Sequence, residues 1–253
     1  MELDNEEVYY SKPNNVDLIK FRAFDQEPEV VAAFAIAGFR DTDYAHPPMN
    51  YHRLADAIGV DPEKIAIVET QDHSDKIDRI ESAIEFHNHV DAIITNKRGI
   101  SLTMRTADCI AVLVYDRVHH AIANIHSGWR GTLLRIAPKT IERMKQEYGT
   151  ESKDVIVALC PSIGPDHFEV MEDVRAKFEA EYGTEHIKAA GPDHFLIDSP
   201  ACVIDSLVEI GVPRENIHLS NLCTVCHQNV IHSYRSMYGD DKKMRNVAII
   251  CLK

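Results

Sequence analysis

Short apolar runs separated by polar turn residues dominate this chain. Val30-Val31-Ala32-Ala33-Phe34-Ala35-Ile36 is continuous enough for a buried strand. Residues 64–68, 92–95 and 101–105 read as further strands, the last two flanking a Lys97-Arg98-Gly99 turn. Two apolar runs, 110–115 and 121–125, bracket Asp116-Arg117-Val118-His119 and predict a β-hairpin. Residues 154–159, 216–219 and 246–252 complete the strand set. Helical spacing appears at 50–58, stopped by Gly59 and Asp61-Pro62. It returns at 131–148, where Leu133, Leu134, Ala137, Ile141 and Met144 share a face and Gly149 ends the helix. Two more helices are predicted at 171–182 and 199–210. The latter has Asp198 or Ser199 as its cap, Pro200 in the first turn and Gly211 at its end.

Residues 1–28 read as mostly irregular, and the polar stretch 74–90 yields no assignment. Strands and helices mix without regular βαβ alternation. The expectation is an α/β fold: one catalytic domain over 29–253, with mixed β-sheets flanked by helices.

Composition narrows the function. The 253 residues are 45% hydrophobic and 26% charged, an ordinary globular mix. A net charge of −13 makes nucleic acid and anionic membranes poor partners. No run approaches the length of a membrane helix. The first ten residues are acidic and lack an apolar h-region, which predicts a cytoplasmic protein. In that compartment the six cysteines are expected as thiols or metal ligands.

The informative chemistry lies at the ends of the predicted hairpin. Thr106-Ala107-Asp108-Cys109 precedes it and His126-Ser127-Gly128-Trp129-Arg130-Gly131 follows it. A turn centred between Arg117 and Val118 sets Cys109 opposite His126, close enough for one metal ion to bridge. His73, after the 64–68 strand, is the best third ligand. Three ligands with one open position have catalytic character. Asp108 then stands ready to orient a ligand or carry a proton. The residues alone leave other readings open: a metal-free Cys109–His126 nucleophile pair, or a buried cysteine beside a surface histidine.

Arg130, just before the predicted 131–148 helix, is the first candidate for binding an anion such as phosphate, with Arg53 and Arg235 behind it. Cys223-Thr224-Val225-Cys226-His227 matches a haem-attachment pattern or half of a zinc site. It is expected in a loop near the centre, with Ser233-Tyr234-Arg235 lining it. The pairs His87/His89 and His119/His120 are expected in exposed turns.

Taken together, Gln71-x-His73, Thr106-Ala107-Asp108-Cys109, His126 to Gly131, Ser162-Ile163-Gly164-Pro165, Cys223-Thr224 and Ser233-Tyr234-Arg235 resemble the laccase-domain family. That family is also known as multicopper polyphenol oxidoreductase-like, or peptidoglycan editing factor. The motifs occur in family order over about residues 30–253. The resemblance implies a fold akin to a cysteine-hydrolase-like toxin and zinc on His73, Cys109 and His126. It also implies purine nucleoside phosphorolysis (adenosine, inosine, guanosine, methylthioadenosine) with adenosine deamination. Nucleoside and phosphate would be the partners of a monomer or small homo-oligomer.

Editing of cell-wall precursors at the same site is an alternative. Copper-dependent polyphenol oxidation is a further one, which the histidines do not favour. A multicopper oxidase needs several paired His motifs, and among the 14 histidines only His87-Asn88-His89 has that spacing. The chain departs from the family pattern at Asp72, Ser74, Ser127 and Cys160, and keeps all three ligand positions.

Overall fold

The computed structural model describes residues 3–40, 48–82, 86–236 and 243–253. Two large sheets lie face to face. The seven-stranded sheet runs β1 (Val8–Ser11), β2 (Leu18–Phe21), β3 (Val30–Arg40), β16 (Met244–Leu252), β8 (Ser101–Thr106), β4 (Ile65–Thr70) and β6 (Phe86–Asn88). The six-stranded sheet runs β15 (Ile217–Leu219), β11 (Val155–Leu159), β9 (Ile110–Asp116), β10 (Ala121–Ser127), β7 (Ala92–Thr95) and β5 (Ile77–Arg79). Both sheets mix parallel and antiparallel pairs, as expected.

Strand periodicity sorts the cores. Phe34, Leu102, Met104, Leu113, Tyr115, Ile122 and Ile250 fill the space between the sheets. Val112, Val114, Ala123 and Ile125 point the other way, onto α4 (Ile136–Tyr148) and α6 (Ser199–Glu209). α2 (Pro48–Ile58) covers the outer face of the seven-stranded sheet through Tyr51, Leu54 and Ala55. Asn124 staples the two sheets: its buried side-chain amide donates to the Leu102 and Ala248 carbonyls. A smaller sheet of β12 (Glu169–Met171), β14 (His194–Ile197) and β13 (Ile187–Gly191) packs with α5 (Glu172–Tyr182). This is the single α/β domain with mixed sheets flanked by helices.

Several expectations need correction. The segment 1–28 is not mostly irregular: β1 and β2 extend the large sheet, and α1 (Arg22–Asp25) follows them. Leu18, Ile19 and Phe21 are buried there, so apolar content outweighs the polar flanks. The 131–148 helix is broken into α3 (Trp129–Leu133) and α4, with Arg135 left-handed between them. Pro138 is the reason: it has no N–H for the Leu134 carbonyl, and its ring clashes there. His87 is buried and bonded to Asp78 rather than exposed.

Candidate metal centre

The ends of the strands converge where the two sheets part. In the hairpin, Asp116 Oδ1 accepts from the Val118 and His119 amides. That turn moves the hairpin centre one residue onward, so His126 faces Ala111 rather than Cys109. The shift preserves the pleat, because Ala111 and Cys109 are two residues apart. Cys109 and His126 therefore still meet at one end of the hairpin. β4 delivers His73 to the same place from the other sheet. The candidate ligand atoms of His73, Cys109 and His126 all lie within 4.8 Å of one another.

Asp91, which no motif singled out, builds the centre. It is fully buried at the head of β7. Its Oδ1 pairs with His126 Nδ1 at 2.8 Å and accepts the His73 amide at 3.0 Å. Its Oδ2 accepts the Ser74 amide and hydroxyl, each at 2.7 Å, and the Asp72 amide at 3.2 Å. One carboxylate thus turns the His126 ring and ties down the loop that carries His73. His73 itself holds a left-handed backbone at φ 57°. A charge-bearing residue opening an apolar run was the available signal for Asp91: a buried carboxylate needs partners.

The electrostatics follow from this packing. Burial pulls the His126 imidazole down, but Cys109 and Asp91 outweigh it and push the pKa up to about 9. Burial, then the charge of His126, hold His73 below its ordinary value. Burial acts to raise the Asp91 carboxyl, yet bonds from His126 and Ser74 keep it below the usual carboxylate range.

These residues fit a metal ion. His73 Nδ1 is buried with no hydrogen-bond partner, which is costly unless something else occupies its lone pair. Gly128 closes the back of the centre. A Cβ there would stand 2.3 Å from His73 Nδ1 and 3.0 Å from Cys109 Sγ. Its φ of −72° is unstrained, so the glycine is required by space rather than by conformation. Two imidazoles and a thiol suit a zinc-type cation.

The ligand set opens onto a cavity of about 700 Å³. Gln71, Arg105, Trp129, Tyr234 and Arg245 contribute to its lining. Gln71 grips the Arg105 backbone on both sides, and the Arg105 guanidinium donates to the Val68 and Glu69 carbonyls. Tyr234 was expected here; Arg105 and Arg245 were not singled out, and strand pairing alone brings them in.

The other expected residues fall elsewhere. Asp108, left-handed at φ 84°, accepts from Thr224 Oγ1 at 2.5 Å and from the Arg235 amide at 2.7 Å. It lines a smaller neighbouring cavity together with Arg235. The Arg235 guanidinium donates to the His167 and Glu169 carbonyls. Arg53 is exposed on α2 and does not line the large cavity. Arg130 lies inside the five-residue α3, not just before a long helix as expected. Its guanidinium sits 4.2 Å from the centroid of the Trp129 ring.

Residues 31–253 match the sequence profile of the family described as multi-copper polyphenol oxidoreductase laccase. The chain belongs to that family. The curated relatives of this laccase family include a purine nucleoside phosphorylase of Bacteroides thetaiotaomicron, 38% identical over 60% of this chain and 58% of that protein. The mouse protein named purine nucleoside phosphorylase LACC1 is 33% identical over 73% of this chain and 43% of that protein. A Staphylococcus aureus purine nucleoside phosphorylase, YlmD, is 31% identical over 72% of this chain and 66% of that protein. The aligned part thus spans less than two thirds of each relative's length. Among solved structures, Bacillus licheniformis YfiH superposes with a TM-score of 0.82 at 22% identity, covering 93% of this chain and 96% of that one. YlmD of Geobacillus stearothermophilus gives 0.81 at 21%, with the same coverage of both chains. They share the laccase-family fold. Among the described residues no helix is long and apolar enough to cross a membrane.

Proposed function

We propose that this chain is a zinc-dependent purine nucleoside phosphorylase with adenosine deaminase activity, acting in the cytoplasm on diffusible nucleoside and phosphate. The observation that carries this reading is the His73, Cys109, His126 triad, half-buried at His73 and Cys109 and buried at His126, lining a cavity of about 700 Å³. That volume is in the range of small-molecule sites and admits a nucleoside. The names of the relatives support the reaction class.

A zinc-type cation on the triad would supply Lewis acidity and lower the pKa of coordinated water. The remaining roles fall to the protein. Trp129 and Tyr234 offer aromatic faces to a purine. Arg105 and Arg245 line the cavity and become the first candidates for phosphate, with Arg130 beside Trp129. Asp108 acts as a positioning residue, since its hydrogen bonds fasten the loops around Cys109. Zinc is preferred to copper on donor chemistry. Two imidazoles and one thiolate, with a fourth position open to the cavity, match a catalytic zinc donor set.

The test is product analysis after incubation of the zinc-loaded full chain with adenosine, with and without phosphate. Phosphate-dependent release of adenine and ribose 1-phosphate, together with phosphate-independent formation of inosine, is expected. Unchanged adenosine under both conditions would refute the reading.

A further inference from the structure

The Cys223-x-x-Cys226 motif takes no part in the centre described above, yet it is not idle. Cys223 Sγ lies 3.6 Å from His167 Nδ1, and Cys226 Sγ lies 3.8 Å from the same nitrogen. The three ligand atoms all fall within 4.8 Å of one another. All six cysteines are free thiols, so neither sulfur is committed to a disulfide. The Gly164 amide donates to Cys223 Sγ at 3.2 Å. A Cβ on Gly164 would come within 3.3 Å of that sulfur, so the turn holds it closely.

We propose that His167, Cys223 and Cys226 form a second metal site, for a thiophilic cation of the zinc type. Two thiolates and an imidazole are soft donors that select such ions over magnesium or calcium. Cys226 is exposed, so the fourth position is open to water and the ion can exchange with solvent. An ion drawn onto three protein ligands fastens the loops that carry them. Here the ion would join the turn around His167 to the loop beginning at Cys223. The same two segments hold Asp108, through the Ile163 amide, Thr224 Oγ1 and the Arg235 amide. The second ion therefore braces the loops beside Cys109 without touching the first centre. This inference is independent of which substrate the large cavity takes.

Metal stoichiometry of the reduced full chain tests it, with cobalt as a spectroscopic probe. Wild type should bind two zinc ions per chain, and Cys226→Ser, an exposed and conservative change, should bind one. In a Cys109→Ser background, which leaves the first centre without a thiolate, cobalt should still give intense thiolate-to-metal charge-transfer absorption. Adding Cys226→Ser or His167→Ala to that background should weaken the band or abolish it. Wild type binding a single ion that Cys109→Ser removes would overturn the proposal. So would a Cys109→Ser protein without thiolate-to-cobalt absorption, or a Cys226→Ser protein that still binds two ions.

Discussion

His73, Cys109 and His126 hang from the ends of three core segments, whereas His167, Cys223 and Cys226 are carried by two loops. At the first cluster a buried carboxylate, Asp91, makes five side-chain hydrogen bonds that settle a ring and a loop together. At the second the braces are scattered: the Gly164 amide donates to Cys223 Sγ and the Arg235 guanidinium to the His167 carbonyl. His126 is 4% exposed, while Cys226 is open to solvent. The difference teaches what pre-organisation requires. A centre that must hold its geometry without help is built on strands and buried polar partners. A cluster on loops gains its rigidity from the ion it binds.

The sharpest way to break this comparison is to crowd the first cluster. Gly128→Ala should displace His73 or Cys109 and cut turnover by roughly a hundredfold or more, since small displacements at a reacting centre are costly. Circular dichroism should show an intact fold and metal analysis a lost ion. Cys109→Ala should likewise strip the first ion and leave a folded chain. Retention of a full metal complement by that variant would remove Cys109 from the ligand set.

Asp91→Asn should come next. Metal affinity at the first centre should fall about 10- to 100-fold, as for other partners that orient a ligand. Unfolding free energy should fall by about 3–5 kcal/mol, because the variant breaks a buried charged pair. Denaturant titration and competition with a chelator measure the two effects. Equal affinities in variant and wild type would show that the ligands need no buttress.

A pH series sharpens the same point on the metal-free protein. His126 is held at about 9, above its ordinary 6.5, so its contribution is complete below about 6.5. That contribution is lost as pH rises towards 9, and Tm should decline over this interval. His73, held below its ordinary value, acts with the opposite sign: its share of stability is lost as pH falls below about 6.5. Asp91→Asn should flatten the alkaline decline. A Tm that rises from pH 7 to 9 would contradict the coupling of His126 to Cys109 and Asp91.

The smallest effect belongs to Ser127→Ala. Ser127 Oγ shares a hydrogen bond with Thr132 Oγ1 at 2.9 Å, and Thr132 keeps a longer contact to Ser199. The loss should be about 1 kcal/mol or less, with metal content unchanged. A drop in metal content would place this residue inside the centre's support.

Much of the architecture was legible in the chain because burial leaves a period. The runs that became β3, β9, β10, β11 and β16, and the caps of α6, could be located from side-chain chemistry alone. So could the meeting of Cys109 with His126, since a hairpin brings its own ends together whatever its exact register. The strands β12, β13 and β14 escaped notice because few of their residues are buried, so no apolar run marks them.

What only the tertiary structure decided is everything set by contacts distant in sequence. Asp91 supports residues 18 and 35 positions away, and no local pattern announces such a bond. Arg105 and Arg245 reach the cavity because β8 and β16 pair in one sheet. The space that forbids a side chain at Gly128 exists only once His73 has arrived from the other sheet. Local sequence determined which segments could be strands and which residues could bind a metal. The packing of two sheets determined which of them met, because a site between layers is defined by both layers at once.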